Sequence, residues 1–318
     1  MNDKLIFPNT ILLGVQKAAT TSLQRWLAQH PDVCAPDVLK DYPYFYNDSI
    51  YEKGPEHISR IYRKSFHGES VILQGFVSYI FDEKSLQRIK KDCPDAKFLL
   101  VLRNPVERAI SAYYFTRQRG LEERSLEQAF ADEDRILKEG TEQEKLELTY
   151  KLRGLYYKQI QVFLKYFDMG QLCISFFEHI KEDPNKELKK VFNFLEIDPD
   201  FQPDLVVENK TKVPKNGRIL GWIYRDTKLK KFLIENIVDK LFPVDLKIKI
   251  KWAIVDKLVQ KDGPTIKKDI PEELRKELYE YYAQDVQDLE HLLGTDLSHY
   301  KYHLVKESPQ KKELESHG

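Results

Sequence analysis

The sequence predicts an α/β fold with a P-loop-like central parallel β-sheet flanked by helices. Two observations carry this prediction. Short apolar segments recur along the chain and are each followed by a stretch whose apolar residues have helical spacing. In addition, the segment Lys97–Arg103 is apolar between its two end residues, as expected of an interior parallel strand. Because ligands of such sheets bind at the carboxyl ends of the strands, residues directly after the strands are the first candidates for a site.

The first predicted strand is Thr10–Val15, and a turn of small residues joins it to a helix marked by Leu23, Trp26 and Leu27. The later elements follow the same alternation. In chain order they are a strand at Val71–Leu73 and Phe76, a helix over Asp82–Cys93, the strand Lys97–Arg103, a helix opened by Asn104 and Pro105, a strand over Leu172–Phe177 and a helix over Asn185–Leu195.

Two segments depart from this alternation. Residues 120–150 are highly charged and are predicted to form a solvated helical excursion rather than a site. Residues 213–268 are rich in Lys and in large apolar residues, which predicts a helical insertion or cap within a single domain spanning residues 1–318. Its Lys side chains either face water or contact an acceptor or a surface. After the predicted helix Pro271–Leu293, residues 308–318 are expected to form a flexible tail.

Composition limits the partners of the chain. The 51 Lys and Arg residues balance the 51 Asp and Glu residues, so no global field favours nucleic acid, and none is predicted as a partner. No uncharged run approaches the ~20 residues of a membrane span, although weak membrane-surface contact through residues 225–261 stays open. The three cysteines lack metal-binding spacing and the amino terminus lacks a signal-peptide pattern. These features predict a cytoplasmic protein.

The segment Gly14–Ser22 is the first candidate anion site. A backbone that passes from a strand into a helix presents free amides and the positive end of the helix dipole. Lys17 adds a point charge, and its spacing from Gly14 differs from the P-loop pattern GxxxxGKS/T. The alternative is that the hydroxyl residues only cap the helix. The residues that would contact the anion are Lys17, Ala18, Ala19, Thr20, Thr21 and Ser22.

A second candidate follows the strand Lys97–Arg103. Arg103 ends this strand, and Ser111 lies two helical turns further along. The planar guanidinium of an Arg at the carboxyl end of a strand suits bidentate binding of phosphate in the crevice that the first motif also faces. The alternative is that Arg103 has a structural role and pairs with Glu107 or with a neighbouring helix.

Together these motifs resemble those of the sulfotransferases that use 3′-phosphoadenosine-5′-phosphosulfate (PAPS), in the heparan-sulfate and bacterial carbohydrate branch. The first resembles GxxKxxTTxL and the second LRxPxxRxxSxY. The resemblance spans nearly the whole chain and is weakest over residues 213–268. Its further matches are Gly154–Tyr157, Phe176–Pro184, Asn209–Lys212 and Asp285–Asp296.

The resemblance implies sulfuryl transfer from PAPS by in-line displacement, with 3′-phosphoadenosine-5′-phosphate (PAP) as product and no metal. The acceptor would be a hydroxyl or amine of a carbohydrate or small metabolite. The first motif would hold the 5′-phosphosulfate, with Lys17 stabilising the leaving oxygen, while Arg103 and Ser111 would hold the 3′-phosphate. Lys215 and Arg218 resemble a basic loop that also contacts phosphate.

The catalytic base of the family is a Glu in a KExxxF-like segment, and here Asp41 occupies that position in Lys40–Phe45. Asp41 could instead cap a helix or pair with Lys40. Gly75 stands where the corresponding family motif has a Lys near the acceptor, so the identity of the acceptor stays open. Aromatic residues around the expected acceptor side, at 42–46, 76–81 and 113–115, could line its pocket or belong to the core.

Two other classes of function compete with a sulfotransferase. A P-loop phosphotransferase would share the strand–turn–helix anion site, but the chain lacks GKS/T and a clear acidic Mg²⁺ ligand after an apolar strand. A non-catalytic nucleotide-binding protein would fit the replacements at Asp41 and Gly75.

Overall fold

The computed structural model describes residues 5–205 and 270–302, together with residues 221, 224, 225 and 246. The predictions for Lys215, Arg218 and the tail 308–318 lie outside the described residues. The same holds for the predicted insertion 213–268 and the surface contact through 225–261, apart from those four residues.

A five-stranded parallel sheet forms the centre of the fold, which confirms the predicted α/β class. The spatial order of the strands is β2-β3-β1-β4-β5, so β1 lies between β3 and β4. Every residue of β1 is buried, as expected of a strand with helices on both faces. The strands are β1 Thr10–Gly14, β2 Val33–Cys34, β3 Val71–Gly75, β4 Lys97–Leu102 and β5 Leu172–Phe176.

Helices separate the strands, and the main predicted helices are present with shifts of a few residues at their ends. The charged stretch 120–150 contains the three short helices α6–α8. No helix in the described part is both long enough and apolar enough to cross a membrane. The helices are α1 Thr20–Leu27, α2 Asp48–Tyr51, α3 Pro55–Tyr62, α4 Glu83–Asp92, α5 Pro105–Gln118, α6 Leu126–Ala131, α7 Glu133–Glu139, α8 Glu142–Glu147, α9 Tyr156–Phe163, α10 Phe177–Glu182, α11 Pro184–Leu195 and α12 Glu272–Leu293.

The boundary between β4 and α5 follows directly from the sequence. Asn104 is the N-cap of α5, and its side-chain oxygen accepts hydrogen bonds from the amides of Val106 at 3.1 Å and Glu107 at 3.2 Å. Pro105 occupies the first helical position, where its missing N–H costs nothing. The cap therefore fixes where β4 ends and leaves Arg103 in the connection between strand and helix.

The long helix α12 docks on the domain through α9. Buried Asp285 of α12 accepts hydrogen bonds from the amides of Tyr157 at 3.0 Å and Lys158 at 3.2 Å, so one helix caps the start of another. A Cβ on Gly154 would lie 2.8 Å from the ring of Tyr282, so only glycine fits beneath that ring. Two of the segments that carry the family resemblance, at Gly154–Tyr157 and at Asp285, thus contact each other in the structure.

We expect Asp285→Ala to lower the free energy of unfolding by about 2–4 kcal/mol, because two buried amides lose a charged acceptor. Urea unfolding followed by circular dichroism measures this loss. Asp288→Ala is the matched control, since Asp288 lies on the same helix and its side chain accepts a hydrogen bond from Gln284. Equal stability of the two variants would contradict the capping role of Asp285.

Candidate active site

The connection from β1 to α1 is a tight loop with unusual backbone angles. Gly14 has φ of 147°, and a Cβ there would lie 2.8 Å from the carbonyl oxygen of Val77. Lys17 and Ala19 have positive φ angles of 73° and 62°, in the left-handed region. Such angles are costly for residues with a Cβ and concentrate at functional sites. The loop is therefore built for a specific backbone shape at the carboxyl end of β1.

Helix α1 begins without a side-chain cap. Its N-cap residue is Ala19, and no side chain accepts a hydrogen bond there. Thr20, Thr21 and Ser22 lie inside the first turn, so the alternative in which a hydroxyl residue caps this helix is wrong. The amides of a first helical turn have no partner within the helix. Together with the helix dipole they give this end of α1 the properties of an anion site.

Arg103 joins the second motif to the first. Its Nη1 donates a hydrogen bond to the carbonyl oxygen of Lys17 at 2.8 Å, and its guanidinium lies 4.5 Å from the centre of the Phe177 ring. The buried Nε of Arg103 has no hydrogen-bond partner among the described residues. Burial lowers the pKa of Arg103, while Glu107 and Glu178 act in the opposite direction. The half-buried guanidinium thus retains a donor for a further acceptor.

Of the two structural alternatives for Arg103, an ion pair with Glu107 is absent from the described residues, whereas a contact with a neighbouring helix is present, since its guanidinium lies over the Phe177 ring of α10. The carboxylate of Glu107 instead pairs with Arg275 of α12. Since the two residues are 168 positions apart, sequence spacing alone could not indicate that Glu107 has a different partner.

A network of buried groups holds the end of β4 in place. The hydroxyl of Tyr156 donates to the carbonyl oxygen of Arg103 at 2.8 Å. The amide of Asn104 donates to Glu178 Oε1 at 3.1 Å, and the hydroxyl of Tyr300 donates to Glu178 Oε2 at 3.1 Å. The backbone on both sides of the Arg103 side chain is therefore fixed by α9, α10 and the segment after α12. Sequence reasoning did not find Glu178, whose role depends on contacts between distant segments.

Helix α5 brings the second motif against the first. Ser111 is buried on this helix, and Phe115 and Arg119 follow at intervals of four residues, which places the three on one side. The ammonium of Lys17 lies 4.1 Å from the centre of the Phe115 ring. The helix that carries Ser111 therefore packs on the loop that carries Lys17. The sequence indicated Phe115 only as a candidate for the acceptor pocket or the core, and Arg119 was not predicted as a site residue.

Asp41 lies at the same edge of the sheet. The backbone of its neighbour Lys40 forms a parallel β-bridge with Gly75 at the end of β3. Asp41 itself has a φ angle of 56°, in the left-handed region. Asp41 is an exposed residue, yet desolvation by the surrounding protein raises the pKa of its carboxyl group, while the charges of Lys40 and Arg119 act to lower that pKa. Asp41 is not the N-cap of any described helix, so the capping alternative fails there. An accessible carboxylate with a raised pKa has the properties of a general base.

The charged excursion 120–150 contributes to the wall of the site. Glu147, the last residue of α8, accepts a hydrogen bond from Arg119 Nη1 at 2.6 Å. The guanidinium of Arg119 lies 4.0 Å from the centre of the Tyr224 ring and 5.3 Å from that of Phe115. Part of this excursion therefore borders the site, whereas the sequence predicted solvated helices only.

The aromatic residues predicted near the acceptor side divide into two groups. Tyr44, Phe45, Tyr79 and Tyr113 belong to the buried core. The half-buried group can face a ligand and consists of Tyr42, Tyr46, Phe76, Phe81, Tyr114 and Phe115. Among the residues that the structure describes, no cluster of three or more His, Cys, Asp or Glu side chains is arranged to hold a metal ion.

Most of the described chain matches a known protein family. The family described as "Sulfotransferase domain" matches residues 7–216. This range contains the loop after β1, Asp41, Arg103 and Ser111.

Comparison with individual proteins gives relatives in the same class. The mouse (Mus musculus) heparan sulfate glucosamine 3-O-sulfotransferase 3A1 is 30% identical over 189 residues, which cover 59% of this chain and 45% of that protein. The human (Homo sapiens) heparan sulfate glucosamine 3-O-sulfotransferase 6 is 30% identical over the same length, covering 59% and 52%. The match therefore spans about half the length of these relatives.

A solved structure shares the fold. The sulfotransferase from Alicyclobacillus acidocaldarius superposes with a TM-score of 0.66 at 24% sequence identity, over 93% of this chain and 99% of that one. This likeness independently supports the α/β architecture described above.

We expect Arg103→Ala to increase amide hydrogen exchange in peptides covering residues 15–27, because the Lys17 carbonyl loses its anchor. The free energy of unfolding should fall by about 1–3 kcal/mol. Mass spectrometry of exchanged peptides measures the local effect. Arg117→Ala is the control, since exposed Arg117 lies on α5, the helix that follows Arg103, and contacts Tyr113 instead of the loop. Unchanged exchange in the loop would show that Arg103 does not anchor it.

Proposed function

Because the chain belongs to the sulfotransferase domain family, we propose that it transfers a sulfuryl group from PAPS to an acceptor hydroxyl or amine. The observation that carries the proposal is the 2.8 Å contact between Arg103 Nη1 and the carbonyl oxygen of Lys17. It unites two anion-binding motifs that are 86 residues apart in the sequence. A donor with phosphate groups at two ends requires two such motifs in one crevice.

The residues present fit a doubly phosphorylated nucleotide. The uncapped first turn of α1 and the ammonium of Lys17 would hold the 5′-phosphosulfate, with Ala18 and Ala19 leaving room for close approach of the backbone. The Nε of Arg103, for which the described residues provide no hydrogen-bond acceptor, would bind the 3′-phosphate together with Ser111. Lys215 and Arg218 lie outside the described residues, and their contact with phosphate stays a prediction.

The chemistry divides between Lys17 and Asp41. When bound, PAPS supplies the sulfuryl group on its 5′-phosphate. Lys17 would stabilise negative charge on the phosphate oxygen at which the bond breaks. Asp41 would take the proton of the acceptor hydroxyl or amine onto its carboxylate, for which its access to solvent and its raised pKa are suited. The roles predicted for these side chains require no metal.

We propose a carbohydrate or a small metabolite as the acceptor. The named activity of the relatives, heparan sulfate glucosamine 3-O-sulfotransferase, supports a sugar hydroxyl. Half-buried Tyr42 adjoins Asp41 in sequence, and half-buried Phe76 follows Gly75 at the end of β3, so the exposed part of each ring would stack on a sugar or another ring. Arg119 forms an ion pair with Glu147, which partly balances its positive charge.

We also propose a cytoplasmic location. Its support is that Cys34, Cys93 and Cys173 are free, buried thiols, which suit a reducing compartment. Fractionation of the native source with recovery of the protein in an oxidising compartment would contradict this proposal.

We expect Lys17→Ala to reduce sulfuryl transfer from ³⁵S-labelled PAPS by about 10²- to 10³-fold, the usual effect of losing one group that stabilises the transition state. Transfer to a panel of oligosaccharides, amines and phenols is measured by separating labelled products. Lys189→Ala, which removes a surface lysine paired with Asp200, is the control. Wild-type turnover by Lys17→Ala would contradict the assignment, and no turnover by the wild type on any acceptor would favour a non-catalytic nucleotide-binding protein.

We expect kcat/KM to fall as the pH drops through the raised pKa of Asp41, because a protonated carboxyl cannot accept the acceptor proton. The acid limb of the pH profile should therefore lie above the usual range of Asp. Asp41→Asn should remove that limb, lower kcat by about 10²- to 10⁴-fold and leave PAP affinity within about threefold.

Arg119→Gln provides a second test of this assignment. It removes a charge that lowers the pKa of Asp41, so it should move the limb to higher pH. Full turnover by Asp41→Asn would show that another group is the base.

A further inference from the structure

We propose that Phe115 is a positioning residue whose ring holds the ammonium of Lys17 in place for binding the 5′ end of the nucleotide. This inference rests on the proposed function, in which Lys17 contacts that end of PAPS. Phe115 lies on α5 between Ser111 and Arg119 and is half-buried, so it borders the site rather than belonging to the core.

The geometry fixes Lys17 at two points. Its carbonyl oxygen accepts a hydrogen bond from Arg103 at 2.8 Å, and its Nζ lies 4.1 Å from the centre of the Phe115 ring. This distance is well within the range of a cation–π interaction. A lysine side chain has many accessible rotamers in water, and ordering it on binding costs entropy. A ring that already holds the ammonium reduces that cost.

An aromatic ring suits this task better than a carboxylate would. The negative face of the ring attracts an ammonium but offers it no strong hydrogen-bond acceptor and no site for its proton. A carboxylate in the same place would neutralise the charge of Lys17 and compete with a phosphate for its donors. Phe115 can therefore orient Lys17 while leaving its charge for the ligand.

The ring is itself held in a fixed environment. Arg119 follows Phe115 by four residues, and its guanidinium lies 5.3 Å from the centre of the Phe115 ring. Arg119 is in turn bound to Glu147 at 2.6 Å and stacked on Tyr224 at 4.0 Å. Glu147 balances a positive charge that would otherwise repel Lys17. Phe115 thus lies between Lys17 of the loop after β1 and Arg119, which is bound to Glu147 of α8.

The test is calorimetric titration of PAP into the wild type, Phe115→Leu and Phe115→Tyr, and into each of these changes combined with Lys17→Ala. Phe115→Leu keeps an apolar side chain and removes the ring, so PAP affinity should fall by about threefold to thirtyfold. Phe115→Tyr retains the ring and should restore affinity to within about twofold of the wild type. In the Lys17→Ala background, Phe115→Leu should have no further effect, because the ring acts through the ammonium.

Phe194→Leu is the matched control. The Phe194 ring lies 5.7 Å from the ammonium of Lys97, the first residue of β4, which lies at the amino end of the strand and therefore opposite the site. This variant loses a comparable pair far from the site and should bind PAP as the wild type does. Unchanged affinity of Phe115→Leu, or an equal loss in the Lys17→Ala background, would overturn the inference. Failure of the wild type itself to bind PAP would instead overturn the proposed function.

Discussion

The hydrogen bond from Arg103 to the carbonyl oxygen of Lys17 is the contact on which the site depends. It is possible because β1 and β4 are parallel neighbours, so their carboxyl ends and the loops that follow lie side by side. The supports around it come from distant parts of the chain. Tyr156 holds the Arg103 carbonyl, Glu178 holds the next amide, and α12 is docked by Asp285 on the helix that carries Tyr156. Contacts from α9, α10 and α12 thus hold the backbone from which the Arg103 side chain extends.

Backbone strain is concentrated at the same place. Of the four described residues other than glycine with positive φ, Lys17, Ala19 and Asp41 belong to the candidate site. The fourth, Glu196, ends α11 in a left-handed cap, which is an ordinary position for that conformation. Residues with a Cβ persist in this region only where the surrounding structure compensates for the cost. Three cationic side chains also lie close together there, since Arg103 contacts the Lys17 carbonyl oxygen and the Lys17 ammonium and Arg119 guanidinium both lie near the Phe115 ring.

The sequence predicted the parts of the site that depend on local patterns. The apolar run from Lys97 to Arg103 was the clearest strand signal, and Asn104 with Pro105 marked the start of α5, so the position of Arg103 followed. Strand β2 was missed because it has two residues, too few for a periodic signal. The partner of Glu107 and the roles of Phe115 and Glu147 were missed for a different reason. They depend on which helices meet across the fold, and neither helical spacing nor composition contains that information.

The most direct test of the account is calorimetric titration of the wild-type protein with PAP, ADP and ATP, each with and without Mg²⁺. PAP has a phosphate for each motif, while ADP and ATP lack the 3′-phosphate that Arg103 would bind. Loss of one or two charge-assisted hydrogen bonds at about 1.5–3 kcal/mol each predicts that PAP binds at least about tenfold more tightly than ADP. This preference should be independent of Mg²⁺. Tighter binding of ATP with Mg²⁺ than of PAP would contradict the assignment of Arg103 to a 3′-phosphate and would favour a phosphotransferase.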